Sequence, residues 1–575
     1  MAYLKKYWSR YKWLFFLSVL CVTCEAACDL LQPRFMARLI DNGAARGDLG
    51  YVVNTGLIML GIAGAGAAFA MVRNISASVA SQKFGADLRR DMFVRIQYMR
   101  VEEMDKFEGG SLVTRMTNDI TQLQNFANGM MRIFFKAPIM CVGAVIMAAS
   151  LNIRTAPVIA PILAVVAFVI GAGMKLTFPR FAKVQQALDK LNTTMREYLA
   201  GIRLVKAFRR FDEEEKRFSA ANDALADNTI NAVKILAVFS PMIIMFVNFG
   251  VAAIIFFGAR WVEAGDMQVG QIMAFITYMT QIMNSLGMIA MVLNMFVRVK
   301  TSNERIREVF ETDEAAEQPP AKNQTRTAET DAHIIFDNVG FEYKGSTGQA
   351  ALSGLNFAVE KGETLGVIGP TGSGKSTLAA LLMRFYEASR GEIRVSGAPI
   401  DAIPEPDLRA KIAIVPQTAS LFTGTIKENI LWGNENASDA QTEAAARAAE
   451  AHGFISEAPD GYNTIIGQHG VNLSGGQKQR VSIARALIRE PEILVLDDCT
   501  SALDVMTEAK VKRAIKRAAG GMTCVLITQR VNTVMACDKI LVLDSGSQAG
   551  FGTHSELMLS CGVYRDIYMS QIGED

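Results

Sequence analysis

Gly369-Pro-Thr-Gly-Ser-Gly-Lys-Ser-Thr377 is the stretch that decides how the second half of this chain is read. It follows the apolar run Leu365–Ile368 and precedes an apolar helical pattern beginning near Leu378. A glycine-rich loop between a strand and a helix is the setting in which backbone N–H groups cradle phosphates. Gly369, Gly372 and Gly374 let the backbone come close, while Pro370, Thr371 and Ser373 fill the loop and Thr377 ends it. The following helix N-terminus adds a favourable partial positive charge. Lys375 is expected to reach the β and γ phosphates, and Ser376 to ligate magnesium.

Around this loop, short β-rich runs alternate with helical ones. Ile334–Phe336, Thr364–Ile368, Ile412–Val415, Ile493–Leu496, Cys524–Ile527 and Ile540–Leu543 are the strand candidates. The alternation predicts an α/β domain over residues 334–575. Ile493–Leu496 runs straight into Asp497-Asp498. A buried strand ending in acid suits a carboxylate, here Asp497, that contacts magnesium directly or through water. Between 311 and 333 the chain is polar, contains Pro319-Pro320 and lacks apolar periodicity, so it reads as a linker.

Residues 1–310 are of a different kind. Uncharged apolar stretches predict six membrane spans at about 13–33, 51–73, 134–153, 155–174, 235–258 and 270–297, each near the roughly 20 residues that cross a bilayer. The first crosses only if Glu25 and Asp29 are tolerated inside. The gaps alternate between short turns and two long charged excursions, which carry 9 Lys and Arg in residues 74–136 and 12 in 175–234. The positive-inside rule places these excursions and the N-terminus in the cytosol. Each excursion reads as two membrane helices extended about 45 Å beyond the bilayer.

The net charge of +2 gives no reason to expect nucleic acid as a partner. The eight cysteines lie in apolar segments or in the α/β domain, where disulfides are not favoured. Cys21, Cys24 and Cys28 have helical spacing but no nearby histidine, and read as packing residues. Lys5, Lys6, Arg10 and Lys12 precede an apolar run as in a leader peptide, but Glu25 and Asp29 interrupt that run and no cleavage pattern follows. Residues 3–12 are therefore expected as a basic, aromatic helix on the membrane surface.

With Asn472-Leu-Ser-Gly-Gly-Gln-Lys-Gln-Arg480 the chain resembles an ABC ATPase. Its whole length resembles the six-span exporter branch with fused ATPase domains. Gly110–Asp119 is similar to that branch's first cytosolic loop and Glu197–Phe218 to its second. The fold so implied is an all-α six-helix transmembrane domain with long cytosolic extensions, followed by an α/β P-loop ABC ATPase domain. The resemblance also implies ATP and Mg2+ as cofactors, a lipid bilayer, a small amphiphilic substrate, and a second exporter half. Tyr343 would stack on adenine, and Gln417 would touch magnesium and sense the γ-phosphate. Ser474, Gly475, Gly476 and Gln477 would press on the γ-phosphate of ATP held by the opposite subunit. Asp504, in Ser501-Ala-Leu-Asp504, would cross the dimer interface. The tips of the cytosolic helices would dock near Gln417–Phe422.

Four positions depart from the family, two of them catalytic. The usual catalytic glutamate is Asp498, and the usual switch histidine is Gln529. Gln468 and His469 also stand where exporters often carry Glu and Arg. A general base must come within hydrogen-bond reach of the water it activates, and aspartate is one methylene shorter than glutamate. Glutamine can hydrogen-bond a phosphate oxygen but cannot become a cation. These departures resemble the degenerate-site subunit of heterodimeric multidrug exporters, whose partner carries the consensus catalytic residues. Two alternatives remain: a slow homodimeric exporter, and an ATP-gated channel or regulatory membrane protein on the same fold. Glu25 and Asp29, four apart on one helix face, are candidate contacts for cationic substrates, or are paired with neighbouring helices. The methionines of the sixth span, Met279, Met283, Met288, Met291 and Met295, are an adaptable apolar lining or simple packing.

Overall fold

The computed structural model describes residues 2–152, 156–312, 332–344, 350–499, 505–518 and 521–573. The linker and Asp504 thus fall outside the described residues, apart from the linker's two ends. The chain separates into two compact units. One comprises Met1–Gln97 and Phe107–Thr312, the other Tyr98–Lys106 and Asp313–Asp575.

The first unit is helical. It is built on Ala2–Arg38, Leu49–Gln97, a run from Gly109 to Leu151 broken by π-helical turns, Ala156–Ala200, Phe211–Glu263 and Val269–Glu311. Six of its helices are long and apolar enough to cross a membrane. Leu49–Gln97 has 49 residues, about 74 Å of helix. That exceeds a bilayer, so the apolar outer part continues without a break into a charged extension. The inner face is closed by small and aromatic residues: Ala26, Ala144, Phe275 and Tyr278 are all fully buried. The Tyr278 hydroxyl donates to the Leu30 carbonyl at 2.8 Å, so the buried ring keeps its polar tip satisfied. Met279, 2% exposed, is a packing residue of this core, whereas Met291 is 56% exposed.

Residues 3–12 do not form a separate surface helix. They continue the first membrane helix, which is unbroken from Ala2 to Arg38. The side chains expected to meet lipid headgroups find acids on the second helix instead. Lys6 and Tyr7 bind Asp91 at 2.8 and 2.7 Å, and Tyr11 donates to Asp87 at 2.6 Å. No helix-breaking residue separates them from the span, so the pairing costs no bend.

The second unit contains a ten-stranded mixed sheet. Ile412–Val415, Ile493–Asp497, Thr523–Ile527, Thr364–Ile368 and Lys539–Asp544 lie side by side in that order, and all four neighbouring pairs are parallel. Thr523–Ile527 is buried at every position, as a central parallel strand with both faces covered must be. Ligands in such sheets bind beyond the carboxyl ends of the strands. There the chain delivers Gln417 after Val415, Asp497 and Asp498 after Leu496, Gly369 after Ile368, and Gln529 after Ile527. Register holds Ile527 opposite both Asp497 and Val367, which brings three of these ends to one level.

Candidate nucleotide site

Gly374 has φ +94°, a left-handed conformation that turns the loop directly into the helix Lys375–Leu382. That helix therefore begins at Lys375 rather than near Leu378. A Cβ on Gly374 would lie 2.5 Å from a Leu352 methyl, so no larger residue fits the turn. The Lys375 ammonium, 8% exposed as a residue, donates to the carbonyls of Gly369 at 2.8 Å and Pro370 at 2.6 Å. Burial pushes its pKa down, and the carboxylates of Asp498 and Asp497 push it back up.

The Ser376 hydroxyl stands 3.4 Å from Asp497, and the Gln417 amide nitrogen 3.4 Å from Asp498. Burial raises the pKa of both aspartates. Two partly desolvated carboxyls beside a hydroxyl and a side-chain amide form an all-oxygen donor set, which suits a hard cation held jointly with phosphates. The residues present therefore fit Mg2+ bound together with a nucleotide. Asp498 has φ +42°, a conformation that aspartate tolerates better than most residues. Its N–H donates to the Ile527 carbonyl at 2.8 Å, tying the carboxylate's backbone to the strand that leads into Gln529.

Tyr343 is 38% exposed. Its hydroxyl lies 3.1 Å from that of Thr377, and its ring packs edge-on against Tyr386 with centroids 5.3 Å apart. An open aromatic face beside the end of the phosphate loop can receive a planar base. Tyr386 carries a further contact: it donates to Asp105 at 2.5 Å, while Lys344 pairs with Glu102 at 2.9 Å and Arg100 with Glu387 at 3.3 Å. The segment Tyr98–Lys106, part of the second unit, thus lies beside Tyr343. For this first of the two segments, that corrects the docking position expected near Gln417–Phe422. Two acids of the segment take a lysine and a phenol and its arginine takes a glutamate, pairings that helix length alone could not reveal.

The signature segment opens the helix Gly475–Leu487, with Ser474 as its N-cap. Ser474 Oγ accepts from the Gln477 N–H at 3.3 Å, and Gln477 Oε1 accepts from the Ser474 N–H at 2.9 Å. This capping box satisfies the third helical donor, while Gly475 and Gly476 supply the first two N–H groups of the helix, which have no acceptor within it. Gln479, buried in the same helix, donates to the Gln417 carbonyl at 2.5 Å and links the signature helix to the segment that follows Val415. Sequence reading missed Gln479, because its partner lies 62 residues away.

A solved structure described as a bacterial Atm1-family ABC exporter with ATP bound aligns over 99% of both chains, with a TM-score of 0.79 and 27% identity. Residues 15–286 match the family described as ABC transporter transmembrane region, and residues 352–501 match that described as ABC transporter. This chain belongs to the ABC exporters. Among its relatives, the ABC transporter ATP-binding protein YfiB of Bacillus subtilis is 39% identical over 97% of this chain and 96% of its own length. A second Bacillus subtilis ABC transporter protein, YfiC, is 31% identical over 99% of this chain and 94% of its own length. The exporter is a multi-pass membrane protein, and its family's ATPase domain binds ATP, generally with Mg2+.

In the membrane unit, Glu25 and Asp29 do not stand alone. Glu25 is 6% exposed; it pairs with Arg73 of the second helix and accepts from Lys136 at 2.6 Å. Asp29 shares Lys136 at 3.0 Å, and its side chain is 40% exposed. Two acids and two bases from three helices balance to zero charge.

Proposed function

We propose that this exporter drives hydrophobic or amphiphilic compounds across a bacterial inner membrane as one half of a dimer. Its own nucleotide site hydrolyses ATP slowly, and its signature helix completes a faster site on a partner with consensus residues. The observation that carries this reading is the carboxylate that follows Asp497. Asp498 ends one methylene, about 1.5 Å, short of where a glutamate would end. Its carboxylate lies 3.4 Å from the Gln417 amide nitrogen. A misplacement of about 1 Å between base and attacking water costs on the order of 100-fold in rate. Gln529 adds a neutral contact where a cation would stabilise developing phosphate charge.

In its own pocket the loop amides and Lys375 hold the phosphates, Tyr343 holds the base, and Ser376, Asp497 and Gln417 hold the magnesium side. Magnesium held by these residues would supply neutralisation of the phosphate charge. For the partner, the free N–H groups of Gly475 and Gly476 supply an anion seat at a helix N-terminus. Apolar surface on each unit supports association. Leu204 and Phe208 on the second cytosolic tip are 63% and 70% exposed, and Phe422 and Trp432 form a half-open stacked pair with centroids 4.4 Å apart. The ATPase domain and N-terminus are assigned to the cytosol from the Lys and Arg distribution. Contact with a cationic substrate falls to Asp29, the more exposed acid, while Glu25 is a structural ion-pair partner.

ATPase turnover of the full chain in lipid nanodiscs, beside the Asp498→Glu, Gln529→His double variant, tests this reading. Slow native turnover that recovers by about 100-fold in the double variant is expected. Brisk native turnover, unchanged in the variant, would withdraw the partner requirement.

A further inference from the structure

The last helix, Gly562–Ile572, packs through Tyr564, Ile567, Tyr568 and Ile572 against a cluster that includes Ile368, Val531 and Val534. Its penultimate residue does something the packing does not require. Gln571 Nε2 donates to the Gln529 carbonyl at 2.7 Å, and Gln571 Oε1 accepts from the Val531 N–H at 2.8 Å. One amide therefore bridges the two backbone groups that flank Arg530. The orientation is unambiguous, because the carbonyl end faces a donor and the amino end faces an acceptor. On the other side of the segment, Glu508 is buried; it accepts from Thr533 Oγ1 at 2.9 Å and from Arg530 at 3.3 Å. The backbone from which residue 529 projects is held between two elements.

Where a histidine cation would still attract phosphate charge through a small displacement, a neutral glutamine acts only at hydrogen-bond distance. Its contribution therefore depends more steeply on where its backbone sits. We infer that Gln571 is a positioning residue for Gln529, so that the C-terminal helix sets how well this site distinguishes ATP from ADP. The inference rests on Gln529 being the γ-phosphate contact. Gln571 itself is exposed, so its removal loosens the segment without opening the core.

The test uses the full chain in nanodiscs with Mg2+, and displacement of a fluorescent ATP analogue by ATP and by ADP. The readout is the ratio of the two affinities, which does not require turnover. Gln529→Ala should lower the ATP preference. Gln571→Ala and the length-matched Gln571→Met should lower it about 3- to 10-fold, the scale of one misplaced hydrogen bond to a charged group. In the Gln529→Ala background, Gln571→Ala should change nothing further, since interacting residues are not additive. An unchanged ratio in both Gln571 variants, with Gln529→Ala effective, overturns the positioning role and leaves the site assignment standing. An additive loss also overturns it. An ineffective Gln529→Ala removes the γ-phosphate assignment, and the inference falls with it. The thermal midpoint without nucleotide separates these outcomes from misfolding.

Discussion

Glu25 offers the sharpest separation of structure from transport. Its side chain is 8% exposed, those of its partners Arg73 and Lys136 are 10% and 19% exposed, and Asp29 is 40% exposed. Replacing Glu25 with glutamine leaves Lys136 paired with Asp29 at 3.0 Å, but removes the carboxylate facing Arg73. Among the described residues, Arg73 then keeps only the Asn74 side chain, at 3.1 Å, as a hydrogen-bond partner. Removing one member of a buried ion pair costs about 3–5 kcal/mol, and an uncompensated charge at membrane depth is a cost of the same order. Asp29→Asn leaves Lys136 on Glu25 at 2.6 Å and removes an acid that water screens, so about 1 kcal/mol or less is expected. Thermal unfolding in nanodiscs should therefore show a large drop for Glu25→Gln and a small one for Asp29→Asn. The double variant Glu25→Gln, Arg73→Gln should recover most of the loss. Transport of cationic amphiphiles should respond in the opposite order, with Asp29→Asn altering selectivity. Equal destabilisation by the two single variants, or no recovery in the double, would refute the ion-pair account.

Two further outcomes follow from the ATPase unit. Tyr386→Phe keeps the ring against Tyr343 and removes only the hydrogen bond to Asp105. Basal turnover and ATP affinity should stay within about 2-fold while substrate stimulation of the ATPase falls, since an exposed hydrogen bond contributes only about 1 kcal/mol. Equal losses in both would mean that the tip supports the nucleotide site itself. For pH, burial raises Asp498, so between the ordinary aspartate value of about 3.9 and the raised folded value the native state keeps a proton that the unfolded chain has released. Stability without nucleotide thus falls as pH rises through that window. Asp498→Asn should raise the thermal midpoint at pH 7, and that gain should vanish once the pH is below both values; a gain independent of pH would contradict the burial account.

The strands and the phosphate loop were legible in the sequence because their signals are local. Apolar runs such as Ile493–Leu496, and glycines at fixed spacing, report on backbone conformations that neighbouring residues alone dictate. Membrane spans were legible for the same reason, since the bilayer demands a length of apolar helix that can be read directly. The role of Gln571 was not legible: no pattern marks it, and its partner lies 42 residues away on another element. Nor could the sequence say that Glu25 would be met by Lys136, 111 residues on, or that Lys6 and Tyr7 would turn to Asp91 instead of lipid. Those choices depend on which helices become neighbours and in what register. A charged side chain takes the nearest partner the packing offers, and only the tertiary structure supplies that partner.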